Sequence, residues 1–466
     1  MDLISKTARE VLALLNTGEV SHDEVLDQLE ARIAAVDGQI NALPTLCFDR
    51  ARAHAREIAA RPVAERGVLG GMPVAIKDLA MVAGVRSTNG SPIYGDHVPD
   101  ASDHIVERVE ETGGVVYAKS NTPEFGAGAS TFNEVFGRTH NPWDLGRSVA
   151  GSSGGSAAAL VSGQAWLAHG SDMGGSLRNP ASFCGCVGLR PAVGRVPYGP
   201  SDDAFGVLSV NGPMARNTAD LGLLLDAMAG ADAREPHAQP DNGGFRAAAE
   251  APVLPERVAY SPDLGITPVD PEVAAITRAA AQRLESLGVT VEETHPDFSG
   301  AHEAFQTLRA IAFATGHADH YANKRDQLKP DVIWNIEKGM TATGADVARA
   351  NLLRSAITRR VASFFESYDL LLCPATVVPP FPVGDRTVTE IAGQELETYI
   401  DWLAIVFAVT LTSAPALSLP CGFTAKGLPV GLQMVAPLRS EAKLLSHAAA
   451  LEADLALDLG PIDPRG

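Results

Sequence analysis

The chain has 466 residues, 45% of them hydrophobic, and a formal net charge of −19. That length supports a large buried core, the acidic balance disfavours nucleic acid as a partner, and no uninterrupted apolar run of about 18 residues offers a membrane span. The stretch Met1-Asp2-Leu3-Ile4-Ser5-Lys6 lacks the basic start and continuous apolar run expected of a signal peptide.

In chain order, Thr7 starts a helix to about Leu15. Ser21 with Glu24 forms a capping box before a second helix, whose apolar stripe is Val25, Leu29, Ile33 and Val36. A third helix is expected over 51–60. Pro73-Val74-Ala75-Ile76 is a short buried strand ending at Lys77. Ser102 or Asp103 caps a helix to about Glu111, stopped by Gly113-Gly114, and Val115-Val116-Tyr117-Ala118 is a strand. This alternation predicts an α/β fold: a large mixed, mostly parallel central sheet covered by helices on both faces. A helix begins at Ser156, and the Pro/Gly-rich stretch 230–256 reads as an exposed connection. Beyond it, Arg257–Tyr260 is a strand and Val273–Leu287 a helix; Leu370–Cys373 and Ala416–Pro420 are further buried strands.

The five cysteines, odd in number, read as reduced thiols in a cytoplasmic protein. Cys184-Gly185-Cys186 is too tight to place both sulfurs on one zinc, and no second Cys/His pair follows. No metal and no cofactor are expected.

Three fragments carry the chemistry: Gly71-Met72-Pro73-Val74-Ala75-Ile76-Lys77-Asp78, Gly151-Ser152-Ser153-Gly154-Gly155-Ser156, and Ser171-Asp172-Met173-Gly174-Gly175-Ser176-Leu177-Arg178. None contains a histidine, so acyl-transfer chemistry built from them would use lysine as base and serine as nucleophile. Lys77, behind four apolar residues, reads either as a charge reaching solvent or as a desolvated base with a depressed pKa. The loop around Ser152 and Ser153 reads as a linker or as a tight turn presenting N–H groups at a helix start. It is no phosphate loop, because it lacks the lysine. The glycines before Ser176 allow either an ordinary turn or inward-pointing N–H groups that hold an oxyanion.

Taken together, these fragments resemble the amidase signature family, closely over about residues 65–225 and more loosely elsewhere. Asn141-Pro142-Trp143-Asp144, Phe183-Cys184-Gly185-Cys186-Val187-Gly188-Leu189-Arg190-Pro191 and Gly427-Leu428-Pro429-Val430-Gly431-Leu432-Gln433 add to the resemblance. It implies one domain over 1–466, in which 257–466 supply the remaining strands and the pocket segments. It also implies a Ser-cisSer-Lys triad: Ser176 as nucleophile, Ser152 as proton relay through a cis peptide with Gly151, and Lys77 as terminal base. The N–H groups of Met173, Gly174, Gly175 and Ser176 would form the oxyanion hole, and Ser153, Asp172 and Arg178 would support the loop. Two positions depart from the common pattern: Val149-Ala150 where many members have Pro-Gly, and Met173 where many have threonine.

The expected activity is hydrolysis of a small, neutral amide with an aryl or alkyl acyl group, with esters and carbamates as side substrates. Phe125, Gly126, Met173, Trp334, Val378 and Phe381 are the expected pocket residues, with Phe205 and 402–407 as further candidates. The alternative is the glutaminase subunit of a tRNA-dependent amidotransferase, disfavoured because Asp401 falls at the wrong offset and Ser120–Phe125 departs from that subfamily's pattern. Neither nucleic acid nor membrane is an expected partner, and association as a homodimer is left open.

Overall fold

In the computed structural model, which describes residues 1–201, 203–240 and 243–465, two capping boxes start the first helices. Thr7 accepts from the Glu10 N–H while Glu10 reaches back to Thr7, and Ser21 and Glu24 repeat the arrangement. Helices Ala8–Thr17 and His22–Ile40 follow, and Val25, Leu29, Ile33 and Val36 are all buried as their spacing requires.

Eleven strands form one sheet: β1 (Thr45–Leu46), β2 (Pro73–Lys77), β3 (Val115–Ser120), β4 (Leu167–Asp172), β5 (Val187–Arg190), β6 (Val210–Ala215), β7 (Arg257–Tyr260), β8 (Thr290–Glu293), β9 (Leu370–Pro374), β10 (Ala416–Phe423) and β11 (Pro429–Val435). Their spatial order is β1-β3-β2-β4-β6-β5-β10-β11-β9-β7-β8. The class is α/β, as expected, but the sheet is not mostly parallel. Only β2–β3, β2–β4, β7–β8 and β7–β9 pair in parallel, and the other six pairings are antiparallel. The parallel pairs β2–β3 and β7–β8 lie towards the two ends of the sheet, where helices His104–Glu111 and Pro271–Ser286 supply the crossovers that such pairing needs. The centre needs none: β10 and β11 are a hairpin, turned where Gly427 takes a φ of +75°.

The stretch 230–256 is not simply an exposed connection. It carries the helix Phe245–Glu250, whose Phe245 and Ala249 are buried; residues 241 and 242 lie outside the described residues. Of three helices without a sequence expectation, Pro330–Thr341 and Gly344–Phe364 both pack on Ala301–Lys324. All five cysteines are unbridged. Among the described residues no helix is long and apolar enough to cross a membrane.

Candidate active site

Parallel pairing builds the site. Register pairs Val74 with Leu167 and Ala75 with Ala168, so β2 and β4 end together at one sheet edge. Strand ends on such an edge are where α/β folds place ligands. Lys77 is the last residue of β2, and Ser171 and Asp172 are the last two of β4. The glycine-rich Ser152 fragment arrives on helix Gly154–Val161, buried along its whole length. Its small residues let it press against the sheet: a Cβ on Gly155 would come within 2.3 Å of the Asn121 nitrogen.

Lys77 is fully buried. Its Nζ lies 2.7 Å from Ser152 Oγ, 2.9 Å from Ser153 Oγ and 3.0 Å from Ser171 Oγ. Every close side-chain partner is thus a neutral hydroxyl. Burial pushes the Lys77 ammonium down to about 7, against the opposing pull of the Asp172 charge. The Gly151–Ser152 peptide is cis, in agreement with the resemblance. The expected triad leaves Ser171 without a role, yet its hydroxyl is a direct neighbour of the lysine. Only the alignment of the two strand ends reveals it.

Asp172 is the opposite case. Burial alone would raise its pKa, but the Arg178 and Arg190 guanidiniums beside it hold it well below the usual carboxylate range. Arg178 donates to both its oxygens, at 3.0 and 2.9 Å, and the Gly175 and Leu177 N–H groups donate at 2.9 and 3.1 Å. Arg178 also donates to Val406 O, Gln433 Oε1 and Thr410 Oγ1. The carboxylate therefore dictates the shape of the Met173–Leu177 turn and anchors it to the helix Ala404–Thr410. At Gly175, φ is +100° and a Cβ would fall 2.5 Å from Val406, so glycine is required there.

The expected oxyanion hole needs one correction. The Gly175 N–H is already taken by Asp172. Among the described residues no hydrogen bond engages the N–H groups of Met173, Gly174 or Ser176, which leaves these three for an oxyanion. Ser153 supports the turn directly, its N–H donating to the Ser176 carbonyl at 3.1 Å.

Ser152, Ser171, Met173, Gly174 and Ser176 all face a cavity of about 620 Å3. Phe125 and Gly126 line it too, as does Phe205. Trp334, Val378 and Phe381 do not line it, which corrects half of the expected pocket. Trp334 packs edge-on against Tyr399 at 5.4 Å under the Lys338 ammonium. Phe381 packs on Phe183 and Trp402, and Val378 joins the same apolar cluster. Helix Ala301–Lys324 supplies the missing wall instead, with Phe305, Leu308, Arg309, Ala312, Phe313, Gly316, His317 and His320. Their spacing of three and four is a one-face signal legible in the sequence, but nothing in it says which face meets the cavity. Phe125 lies 4.3 Å from the His317 ring and stacks on His320 at 5.5 Å, and Tyr94 donates to or accepts from His320 Nε2 at 3.0 Å. Burial pushes His317 down to about 4, with His320 adding to the effect, so this aromatic wall is neutral there at pH 7. The cavity is not wholly apolar, however, since Arg309 and Arg354 also line it.

The Amidase family model matches residues 24–445. The chain is 37% identical to the A subunit of a glutamyl-tRNA(Gln) amidotransferase from Moorella thermoacetica, with 97% of each chain covered. It is 34% identical to an acylamidase of Rhodococcus erythropolis, with 96% of this chain and 95% of that one covered. A bacterial aryl acylamidase of the amidase signature family superposes with a TM-score of 0.90 at 25% identity, over 97% and 96% of the two chains.

Proposed function

The chain belongs to the amidase signature family, hydrolases of carbon–nitrogen amide bonds, and we propose that it is a free amidase cleaving small amides with an aryl or alkyl acyl group. Ser176 is the nucleophile, Ser152 the proton relay and Lys77 the base. Neutral Lys77 takes the Ser152 proton as Ser152 takes that of Ser176, and Ser176 Oγ attacks the carbonyl carbon. The N–H groups of Met173, Gly174 and Ser176 stabilise the resulting oxyanion. As the carbon–nitrogen bond breaks, the proton returns through Ser152 to the leaving amine. Water, deprotonated through the same relay, then hydrolyses the acyl-enzyme.

The observation that carries this reading is the 2.7 Å contact between Ser152 Oγ and a fully buried lysine with no carboxylate of the described residues in hydrogen-bond reach. The aromatic wall of Phe125, Tyr94, His317 and His320 supports an aryl group in the cavity. Arg309 and Arg354 are also among the cavity-lining residues, which argues against the expected restriction to neutral substrates. The test is covalent labelling with a fluorophosphonate: Ser176→Ala should abolish both labelling and turnover, and a labelled peptide bearing Ser152 or Ser153 would overturn the assignment.

Likeness to the M. thermoacetica protein favours a second reading, the glutaminase component of an amidotransferase complex. Against it, Asp203 is the one acid among the described cavity-lining residues, so a glutamine α-ammonium finds little compensation. The purified chain alone should hydrolyse an aryl amide with a kcat/KM at least roughly a hundredfold above that for glutamine, about 2.7 kcal/mol. Comparable values, or turnover only with an added partner protein, would favour the second reading.

A further inference from the structure

Arg309 is a charged residue of the cavity lining that the mechanism leaves unused. It is 6% exposed and sits on the cavity-facing side of helix Ala301–Lys324. Its guanidinium donates to Asn335 Oδ1 and, at 3.0 Å, to the Tyr399 hydroxyl. It lies 4.6 Å from the Phe313 ring and 5.7 Å from that of Tyr399. No carboxylate among the described residues pairs with it.

That pattern is unusual for a structural arginine. The buried Arg178, Arg190 and Arg195 of this molecule each have a carboxylate, because an uncompensated buried charge is costly. Arg309 instead has two neutral acceptors and two aromatic faces, which orient the planar fork and leave its remaining N–H groups without a partner among the described residues. Arg354, whose Nε donates to Leu411 O and whose Nη2 donates to Ser413 Oγ, is a second arginine lining the same cavity, also without a carboxylate among the described residues. Asp203 lines the cavity as well, on the segment after the Gly199–Pro200 bond.

We propose that Arg309 is a specificity-determining residue that recognises a carboxylate carried by the amide substrate away from the scissile bond. The proposal rests on the amidase reading and narrows its substrate class to amides that combine an apolar body with one anionic group. The body meets Phe125, Phe313 and the histidines; the anion completes the guanidinium.

Two matched substrate pairs test it. The 4-nitroanilide of hexanoic acid against the mono-4-nitroanilide of adipic acid places the carboxylate on the acyl side, and acetanilide against 4-acetamidobenzoate places it on the leaving side. In at least one pair the carboxylate-bearing member should have a kcat/KM higher by about tenfold or more. Arg309→Gln should abolish that preference while turning over the neutral member, which reports an intact fold, and Arg309→Lys should restore part of it. No preference in either pair, or a preference unchanged in Arg309→Gln, would overturn the proposal. If no amide were hydrolysed at all, the amidase reading would fall first. Calorimetric binding of glutarate to the wild type and to Arg309→Gln would then decide the anion site alone, with equal or absent binding counting against it.

Discussion

Two lysines, Lys77 and Lys119, stand on adjacent parallel strands, and both are fully buried. Register pairs Lys77 with Ser120 and Ile76 with Lys119, so strand alternation sends their side chains to opposite faces. Lys119 donates to Asp78 Oδ1 at 2.7 Å and to Ser87 Oγ at 2.8 Å, and Asp78 in turn accepts from the Thr88 N–H. Among the described residues Lys77 meets three serine hydroxyls and no carboxylate. Equal burial therefore has two outcomes. With a carboxylate partner, a buried lysine is a charged cross-link; with hydroxyls alone, it is pushed towards the neutral amine that a base must be.

That contrast can be broken from either side. The largest expected effect is on catalysis: Lys77→Ala should lower kcat by about three to four orders of magnitude, roughly 4–5.5 kcal/mol, the upper part of what a positioned general base contributes. Its melting temperature should stay close to wild type, since the lost group was itself costly to bury. A loss under tenfold in kcat would remove Lys77 from the base role.

Lys119→Met should do the reverse. It strands Asp78 in the interior and should cost about 3–5 kcal/mol of stability, measured by denaturant unfolding. A variant as stable as wild type would show that the ion pair is dispensable and that the two lysines differ less than their partners suggest.

A pH profile sharpens the comparison within the active enzyme. Burial holds Lys77 at about 7. It is protonated below that value and cannot accept a proton, and it is neutral above it. The kcat/KM should therefore rise tenfold per pH unit below about 7 and level off above it. A profile flat from pH 5 to 9, with chemistry rate-limiting, would count against a lysine base.

The smallest effects belong to the cavity wall. Phe125→Ala should raise KM for an aryl amide about tenfold, some 1.4 kcal/mol of lost aromatic contact. Trp334→Ala, outside the cavity, should leave KM within about twofold in the same assay. Equal effects from the two would mean that the substrate does not lie where the cavity is.

The elements with strong local signals were legible in the chain: capping boxes at Thr7 and Ser21, the apolar strands ending at Lys77 and Cys373, and the glycine-rich turns that carry Ser152 and Ser176. These depend on residues a few positions apart, and so does the family motif, which is why the fold class and the candidate reacting residues were both within reach of sequence. Sheet direction was not legible, because a hairpin such as β10–β11 and a helical crossover are told apart only by where the next strand docks. Nor was the cavity. Trp334 and Phe381 have the same apolar character as Phe125 and Phe305, yet only the latter pair face the site. Burial pattern says that a side chain leaves water, not which neighbour it meets. The partners of Lys77 and Arg309 were decided in the same way. Ser171 and Tyr399 reach them across strand ends and helix faces, and such contacts exist only once the tertiary structure has closed.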